Sequence, residues 1–400
     1  MILGVAVSLS GLGCRRARPV AASTGPAAIS PEETATPNHG VGPQQLEAFG
    51  KQLEDQINDG QLKEVAGLID FDPLLEAAFA GIDWRENEET RGFHNELVRS
   101  LRVDPAQILK SLAGARAKFL RVRDTPRGQA VVIRCILHNG GSTYLEVFAR
   151  PAPDGKLAIR EIHNHATGVA VEEALRSIVI TIVPSLDVSF LDRMFGGRQK
   201  IDAAAFSQLA DAFKRKDVVQ AKAAFAKMPA ELKRARPVFM SYLQVLMDNP
   251  QDPAYLAALE EGQRIYGADP TLDFLRIDLH LLQNDYSAYD ACLRRIEGML
   301  ETDAHLLTLR GIGYVEGRDY VAADAVLNQA VAIEPDFENA YRLRFKLAVL
   351  RRSYAEAITT LDELDRHFGE QWSPEKSDAS AAFQEFLQSP EYRAWLDRDP

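Results

Sequence analysis

The chain has 400 residues, of which 46% are apolar, so it is long enough for two folded domains with sizeable cores. Its formal net charge of −11 argues against wholesale binding to nucleic acid. It contains three cysteines, Cys14, Cys135 and Cys292, which are too few and too scattered for a disulfide framework or a zinc cluster.

The N-terminal segment combines a short apolar run with a cysteine. Residues 2–13 (ILGVAVSLSGLG) are apolar, and Gly13 directly precedes Cys14. This arrangement resembles a bacterial lipoprotein signal over residues 1–14, which implies a lipid on Cys14 and a tether on the periplasmic side of the cell envelope. The alternative is a frayed apolar N-terminus on a cytoplasmic protein. Residues 15–42 are rich in Pro, Ala, Ser, Thr and Gly, a composition that predicts a disordered linker.

Residues 43–186 are predicted to form one domain in which helices precede a sheet. The apolar stripe from Leu46 to Ile57 indicates a helix that begins at Pro43, and further helical patterns follow. Residues 118–165 then read as four strands with hairpin turns between them. The predicted fold class is therefore α+β, with helices followed by a four-stranded antiparallel sheet. By element order the domain is similar to nuclear-transport-factor-2-like domains, which implies a space for a small ligand between helices and sheet.

Histidines on the last predicted strand raise the question of a metal. His163 and His165 are two residues apart, so they share a strand face with Glu161, and His138 ends another strand. Imidazole and carboxylate are ligand types for divalent metals. A spacing of two is weak evidence, however, and no fourth ligand is identifiable. The sequence favours polar residues at a solvated strand end and predicts no metal and no cofactor.

No motif in the chain predicts catalysis. There is no glycine-rich phosphate loop after a strand and no serine or cysteine motif of the hydrolase type. Cys135 and Cys292 lie in apolar segments and are predicted to be small buried residues. The chain is therefore predicted not to be an enzyme. The competing hypothesis is a small-ligand site or divergent enzyme site in the first domain, in a cavity lined by Tyr144, Glu146, His163 and His165, with the C-terminal part of the chain serving only for recruitment.

Between residues 271 and 372 the sequence repeats itself. Tyr, Arg and Leu each occur three times at a step of 34 residues, a period that indicates an array of helix pairs. The three ladders are Tyr286, Tyr320 and Tyr354, then Arg276, Arg310 and Arg344, then Leu293, Leu327 and Leu361.

One copy of this repeat, residues 304–337, carries a full set of motif residues. These are Leu307, Gly311, Tyr314, Tyr320, Ala323, Leu327, Ala330 and Pro335, and the next copy keeps Tyr354, Ala357 and Leu361. Their spacing resembles the tetratricopeptide family. The resemblance implies an all-α superhelix over residues 198–372 that binds another protein or peptide. Residues 198–270 do not keep the step and are predicted to be either divergent repeats or a non-repeat adaptor.

Small residues are expected where the two helices of a repeat touch. Gly311 and Ala323 occupy those positions in the best copy, whereas Ile277, Tyr289 and Phe345 replace them in the flanking copies. The arginine ladder is predicted to brace neighbouring repeats rather than to bind a ligand.

Helix-start residues occur in both copies. Asp319 is predicted to cap the second helix of the best copy. Ser353 with Glu356 three residues later reads as a capping box. After the repeats, residues 373–400 are predicted to form capping helices, because a helical array needs a terminal element with one polar face. The alternative is a segment that docks a partner.

The tetratricopeptide pattern places Asn339, Arg342 and Lys346 on the concave groove. Two basic groups one turn apart can accept an acidic side chain or a C-terminal carboxylate. The alternative is an ordinary solvated basic face. The equivalent residues of the previous copy, His305, Thr308 and Ile312, do not continue a basic clamp. The leading hypothesis is thus a non-catalytic, membrane-tethered scaffold with a protein or peptide partner and no nucleic acid.

Overall fold

The structure is a computed structural model that describes residues 41–80, 84–85, 88–137, 141–182, 252–267, 273–369 and 380–398, together with 208, 212, 215, 217–228, 230–234 and 236–246. The chain divides into two compact units, Met1–Gly267 and Ala268–Pro400. Cys14 and most of the predicted linker lie outside the described residues. Within the part of the chain that is described, no helix is long and apolar enough to cross a membrane.

Helices open the first unit, as the apolar stripe predicts. They are α1 (Pro43–Asn58), α2 (Leu62–Gly67), α3 (Phe71–Ala78), α4 (Glu88–Val103) and a 3₁₀ helix (Pro105–Leu112). Helix α1 packs on the sheet through Gly50. A Cβ atom at Gly50 would lie 2.3 Å from Phe119 Cδ2 and 2.9 Å from Val131 Cγ1. Glycine is therefore required for this close approach of helix and sheet.

The helices are followed by an antiparallel sheet in meander order. Its strands are β1 (Arg116–Thr125), β2 (Gly128–Ile136), β3 (Ser142–Pro151), β4 (Leu157–Asn164) and β5 (Val169–Ala170). The prediction of four strands was one too few. Strand β5 pairs Val169 with Asn164 and Ala170 with His163, and two residues are too short to show an alternating pattern.

Further helices of the first unit with described bounds are α5 (Val171–Ile182), α6 (Val218–Lys227), α7 (Ala230–Arg234), α8 (Arg236–Leu246) and α9 (Pro253–Tyr266). Helix α9 begins where Asp252 accepts a hydrogen bond from the Ala254 N–H at 2.8 Å. The same carboxylate binds Lys222 Nζ of α6 at 3.0 Å. Asp252 therefore both caps one helix and ties it to another.

The described part of the second unit contains three helix pairs at the predicted step, followed by two short helices. The paired helices are α10 (Asp273–Leu282), α11 (Tyr286–Leu300), α12 (Ala304–Glu316), α13 (Tyr320–Ile333), α14 (Glu338–Leu350) and α15 (Tyr354–Phe368), and the short ones are α16 (Ala381–Leu387) and α17 (Pro390–Leu396). The second helix of each pair begins at Tyr286, Tyr320 and Tyr354, 34 residues apart. The predicted fold class is confirmed: helices and an antiparallel sheet come first, and a tetratricopeptide-like helical repeat region follows.

The turn between the two helices has the same backbone geometry in all three pairs. Asn284, Arg318 and Arg352, again 34 residues apart, have φ values of 56°, 62° and 58°. A left-handed backbone conformation favours glycine or asparagine. Because Arg318 and Arg352 are arginines, residue type did not predict this conformation in the last two pairs.

Side-chain capping follows this turn in two of the three pairs. Asp285 accepts from the Ala288 N–H at 3.0 Å, and Asp319 accepts from the Ala322 N–H at 3.1 Å, which confirms the predicted cap. The capping box at Ser353 was wrong, because its side chain makes no capping hydrogen bond. Asp319 and Ser353 have nearly the same backbone angles, and the hydroxyl is one bond shorter than the carboxylate.

Glycines fit large neighbours inside the repeats. A Cβ atom at Gly311 would lie 2.9 Å from Leu327 Cδ2 and 3.2 Å from Leu343 Cδ2, so this small residue lies between its own pair and the next. A Cβ atom at Gly313 would lie 2.6 Å from Tyr289 Cδ1. The large Tyr289, which stands where a small residue was expected, is thus accommodated by a glycine on the neighbouring helix.

Phe345 is a large residue at a position where the repeat pattern has a small one, and it packs against helix α16. The C-terminal helices α16 and α17 are called the tail helices below. Its ring centroid lies 5.4 Å from that of Phe386 and 6.2 Å from that of Phe383, both on α16. Trp395 of α17 donates from Nε1 to Asp362 of α15 at 2.8 Å. The tail helices therefore pack on the last repeat, with their aromatic side chains in its core cluster.

Candidate functional site

The predicted groove residues lie together on helix α14. Asn339 is exposed, and Arg342 and Lys346 are partly exposed. Their spacing of three and four residues puts them on one helix face. This face, defined by Asn339, Arg342 and Lys346, is called the α14 surface below.

Both basic groups of the α14 surface already have acidic neighbours. Lys346 Nζ lies 3.1 Å from Glu316 Oε1 of α12, and the two side chains are 44% and 45% exposed. Arg342 pairs with Glu338 one turn earlier on its own helix. The Lys346–Glu316 pair is exposed enough to solvent that it contributes little to stability, about 0–1 kcal/mol.

The equivalent positions in the preceding repeat differ. His305 and Thr308 are buried, and the Thr308 hydroxyl donates to the Ala304 carbonyl at 2.7 Å. The His305 ring lies edge-on to Phe337, with centroids 5.9 Å apart. The predicted groove positions are therefore accessible on α14, whereas on α12 His305 and Thr308 are covered and Ile312 is partly exposed but apolar.

The arginine ladder makes ion pairs throughout the array. Arg310 Nε of α12 donates to Asp290 of α11 at 2.9 Å, and Tyr314 OH donates to the same oxygen at 2.9 Å. Burial alone would lower the pKa of Arg310, but hydrogen bonds from this guanidinium to Asp290 and Tyr314 raise it above its ordinary value. The predicted bracing of neighbouring pairs is confirmed at Arg310. Arg344 instead pairs with Glu363 of its own helix pair at 3.1 Å.

A second candidate site lies on the sheet of the first unit. Glu146 of β3 is directly opposite His163 of β4, so both side chains lie on one sheet face. His165 follows the end of β4, and its backbone N–H donates to the Tyr144 carbonyl at 2.9 Å. The structure thus brings together Tyr144, Glu146, His163 and His165, the residues expected to line a ligand cavity.

Three of these side chains converge on one point. His165 Nε2 lies 3.3 Å from Glu146 Oε2, and His163 Nδ1 lies 3.7 Å from the same oxygen. Glu146 and His165 are 6% and 2% exposed. The interpretation as a solvated strand end was therefore wrong, because single-strand periodicity does not show what covers a face. Arg123 of β1, which sequence reasoning missed, places Nη1 3.3 Å from the other oxygen of Glu146.

The electrostatics of this cluster keep the carboxylate charged. Burial by itself would raise the pKa of Glu146, but His163, His165 and Arg123 around it hold that pKa well below its ordinary value. Burial lowers the pKa of His165, and the neighbouring Glu146 carboxylate opposes this shift. The cluster is thus a buried anion with an imidazole beside it that favours the neutral form.

Glu161 has a different role from the one expected. Its carboxylate accepts from the Val171 N–H at 3.0 Å and from the Glu172 N–H at 3.3 Å, so it caps the start of α5. Burial raises its pKa to about 7. Its carboxylate is therefore used for helix capping, and His138 lies outside the described residues.

The two described cysteines are buried, as predicted. Burial raises the pKa of Cys135 to about 12 and that of Cys292 to about 11. Thiols with such pKa values are poor nucleophiles at neutral pH.

The sequence and the structure were compared with known proteins. No protein-family model and no curated protein matches the sequence. Among solved structures, the crystal structure of the APC/C hetero-tetramer Cut9-Hcn1 is similar over 55% of this chain and 48% of that chain, with 12% identity and a TM-score of 0.28. The chain thus spans about half the length of that chain. A TM-score of 0.28 is too low to show a shared fold. The assignment of the repeat region therefore rests on the 34-residue step.

Proposed function

We propose that the protein is a non-catalytic scaffold that binds an acidic segment of another protein or peptide at the α14 surface. The observation that carries the proposal is the accessible basic pair Arg342 and Lys346 on one face of the last repeat's first helix. Of the equivalent positions on α12, His305 and Thr308 are buried and the partly exposed Ile312 is apolar. The proposed contact with an acidic partner is therefore confined to α14.

The ion pairs on this surface are compatible with partner binding. Lys346 and Glu316 are both nearly half exposed, so a partner carboxylate can replace Glu316 at a small free-energy cost. Arg342 can form two parallel hydrogen bonds with a carboxylate, a geometry that adds specificity as well as affinity. A basic partner would instead use Glu316 and Glu338, so the sign of the charge effect separates the two cases.

Cross-linked co-purification with four variants tests the proposal. We expect Arg342→Glu/Lys346→Glu to lose the partner that the wild type recovers, and Glu316→Gln to recover more of it. The control is Arg366→Glu, which reverses one charge at an exposed arginine of α15 and is compared with the single variant Lys346→Glu. A partner that survives the double variant, or is lost equally in the control, would contradict the proposal.

We further propose that lipidated Cys14 tethers the protein to a bacterial envelope membrane, with residues 15–42 as a spacer. The support is the apolar run before Cys14. Fractionation of Cys14→Ala and wild-type cells with a lipid label tests this. Membrane-bound Cys14→Ala protein with no label on the wild type would contradict the lipid anchor. The similarity of residues 43–186 to nuclear-transport-factor-2-like domains likewise stays a prediction.

A further inference from the structure

The cluster on the sheet of the first unit has the composition of a metal site. We propose that Glu146, His163 and His165 bind one divalent transition-metal ion. The three side chains offer one carboxylate oxygen and two imidazole nitrogens, and these donor atoms all lie within 4.8 Å of one another. Neither the scaffold proposal nor the repeat region requires this site.

The donor separations fit ligands of a single ion. Metal–nitrogen and metal–oxygen bonds of about 2.0–2.2 Å place neighbouring donors roughly 3.0–3.5 Å apart. Glu146 Oε2 lies 3.3 Å from His165 Nε2 and 3.7 Å from His163 Nδ1. Small rotations of the imidazole rings bring all three donors within bonding distance of one point.

The cluster also contains buried polar atoms that no hydrogen bond satisfies. Within the described part of the chain, both ring nitrogens of His165 and Glu146 Oε1 lack a hydrogen bond. Arg123 approaches Glu146 Oε1 at 3.3 Å, an ion-pair distance without hydrogen-bond geometry. Leaving buried polar atoms unsatisfied costs about 1–3 kcal/mol each, so such atoms call for an ion or a water.

The fold holds these residues in place. His163 is fixed opposite Glu146 by the β3–β4 register. The chain then turns at Asn164, whose Oδ1 accepts from Thr143 Oγ1 at 2.6 Å and from the Ala166 N–H at 2.9 Å. This turn positions His165 beside its two partners, on a strand pair that also contains a bulge between Phe148 and Ala149. Bulges occur often beside functional sites.

The ligand types select the class of metal. Two imidazoles and one carboxylate suit zinc, iron or cobalt, whereas magnesium and calcium prefer oxygen ligands alone. Three protein ligands leave at least one coordination position open, as in catalytic rather than structural zinc sites. The side chains of His163 and Arg123 are 14% and 20% exposed, so the cluster has an accessible edge.

Titration of untagged, chelator-treated full-length protein with Co²⁺ tests the site. We expect one equivalent of Co²⁺ to produce visible ligand-field absorption. The band should weaken, with affinity lowered at least about tenfold, in Glu146→Gln and His163→Asn. The matched control is His367→Asn, which removes an exposed histidine of α15 and should bind like the wild type.

A second measurement needs no variant and therefore does not depend on the folding of altered cores. Addition of Zn²⁺ to the wild type should shift the ring NMR signals of two of the eight histidines and raise the unfolding temperature. Signals that do not shift, or a Co²⁺ band that is unchanged in His163→Asn, would overturn the proposal and leave the cluster as an ion-pair network.

Discussion

Gly313 and Tyr289 fit each other closely: a Cβ atom at residue 313 would lie 2.6 Å from the Tyr289 ring. We expect Gly313→Ala to destabilise the second unit by about 1–3 kcal/mol, because the buried ring cannot move aside without strain. Urea unfolding followed by circular dichroism measures the change. Tyr289→Leu combined with Gly313→Ala should recover part of the loss. Purely additive effects in this double-mutant cycle would show that the two residues are not coupled.

The second prediction concerns Asp290, which accepts hydrogen bonds from Arg310 and Tyr314. Burial would raise the pKa of Asp290, but hydrogen bonds from Arg294, Arg310 and Tyr314 outweigh it and lower the pKa. A carboxyl with a lowered folded-state pKa contributes stability above its unfolded pKa of about 3.9, and that contribution is lost as the pH falls.

Asp290→Asn should therefore reduce stability by about 1–3 kcal/mol at pH 7 and weaken the loss of stability below about pH 4. Unfolding midpoints measured between pH 7 and pH 3 check both effects. Asp365→Asn, at an exposed aspartate of α15, is the control. An equal pH dependence in wild type and Asp290→Asn would mean that this carboxylate does not drive the acid sensitivity.

Arg318 provides a third prediction, because its φ of 62° suits asparagine better than arginine. The equivalent residue one repeat earlier is Asn284. We expect Arg318→Asn to raise thermal stability by about 0.5 kcal/mol and Arg318→Val to lower it by about 1–2 kcal/mol. Arg366→Asn should act in the opposite direction, since asparagine is unfavourable inside a helix. Equal effects of Asn at both positions would contradict the backbone argument.

Helix capping supplies the fourth prediction. Ser353 begins α15 without a side-chain cap, whereas Asp319 caps α13. We expect Ser353→Asp to stabilise the protein by up to about 1 kcal/mol and Asp319→Ala to cost about 1 kcal/mol. Differential scanning calorimetry of the two variants and Ser353→Ala checks this. A Ser353→Ala loss as large as that of Asp319→Ala would show that Ser353 does cap its helix.

Spacing and residue type in the sequence predicted the helix pairs and one helix cap. The helix pairs follow from the step of Tyr286, Tyr320 and Tyr354, and the Asp319 cap follows from residue type and position. Strand β5 was missed because two residues show no periodicity. The left-handed Arg318 was missed because its conformation is imposed by the packing of two helices rather than by its own preference.

The buried cluster shows where single-sequence reasoning stops. The sequence grouped His163 and His165 with Glu161 as possible metal ligands and named Glu146 only as a residue lining a ligand cavity. The carboxylate that lies beside both histidines is Glu146, on the neighbouring strand. Which carboxylate lies beside the histidines is determined by the register of β3 and β4. That register depends on bulges and turns, which cannot be predicted from the type of any single residue. Glu161 was the nearer carboxylate in sequence, yet its oxygens bind the backbone of α5.

The packing of Phe345 against Phe383 and Phe386 limits how this array can change length. A helix pair duplicated after α15 would meet an aromatic surface shaped for two short tail helices. A helix pair duplicated after α13 would instead pack on residues such as Gly311 and Leu327, which already lie at the contact between one repeat and the next. Growth or shortening by whole 34-residue units is therefore expected on the N-terminal side of Phe345, and α14 to α17 would be inherited together as one block.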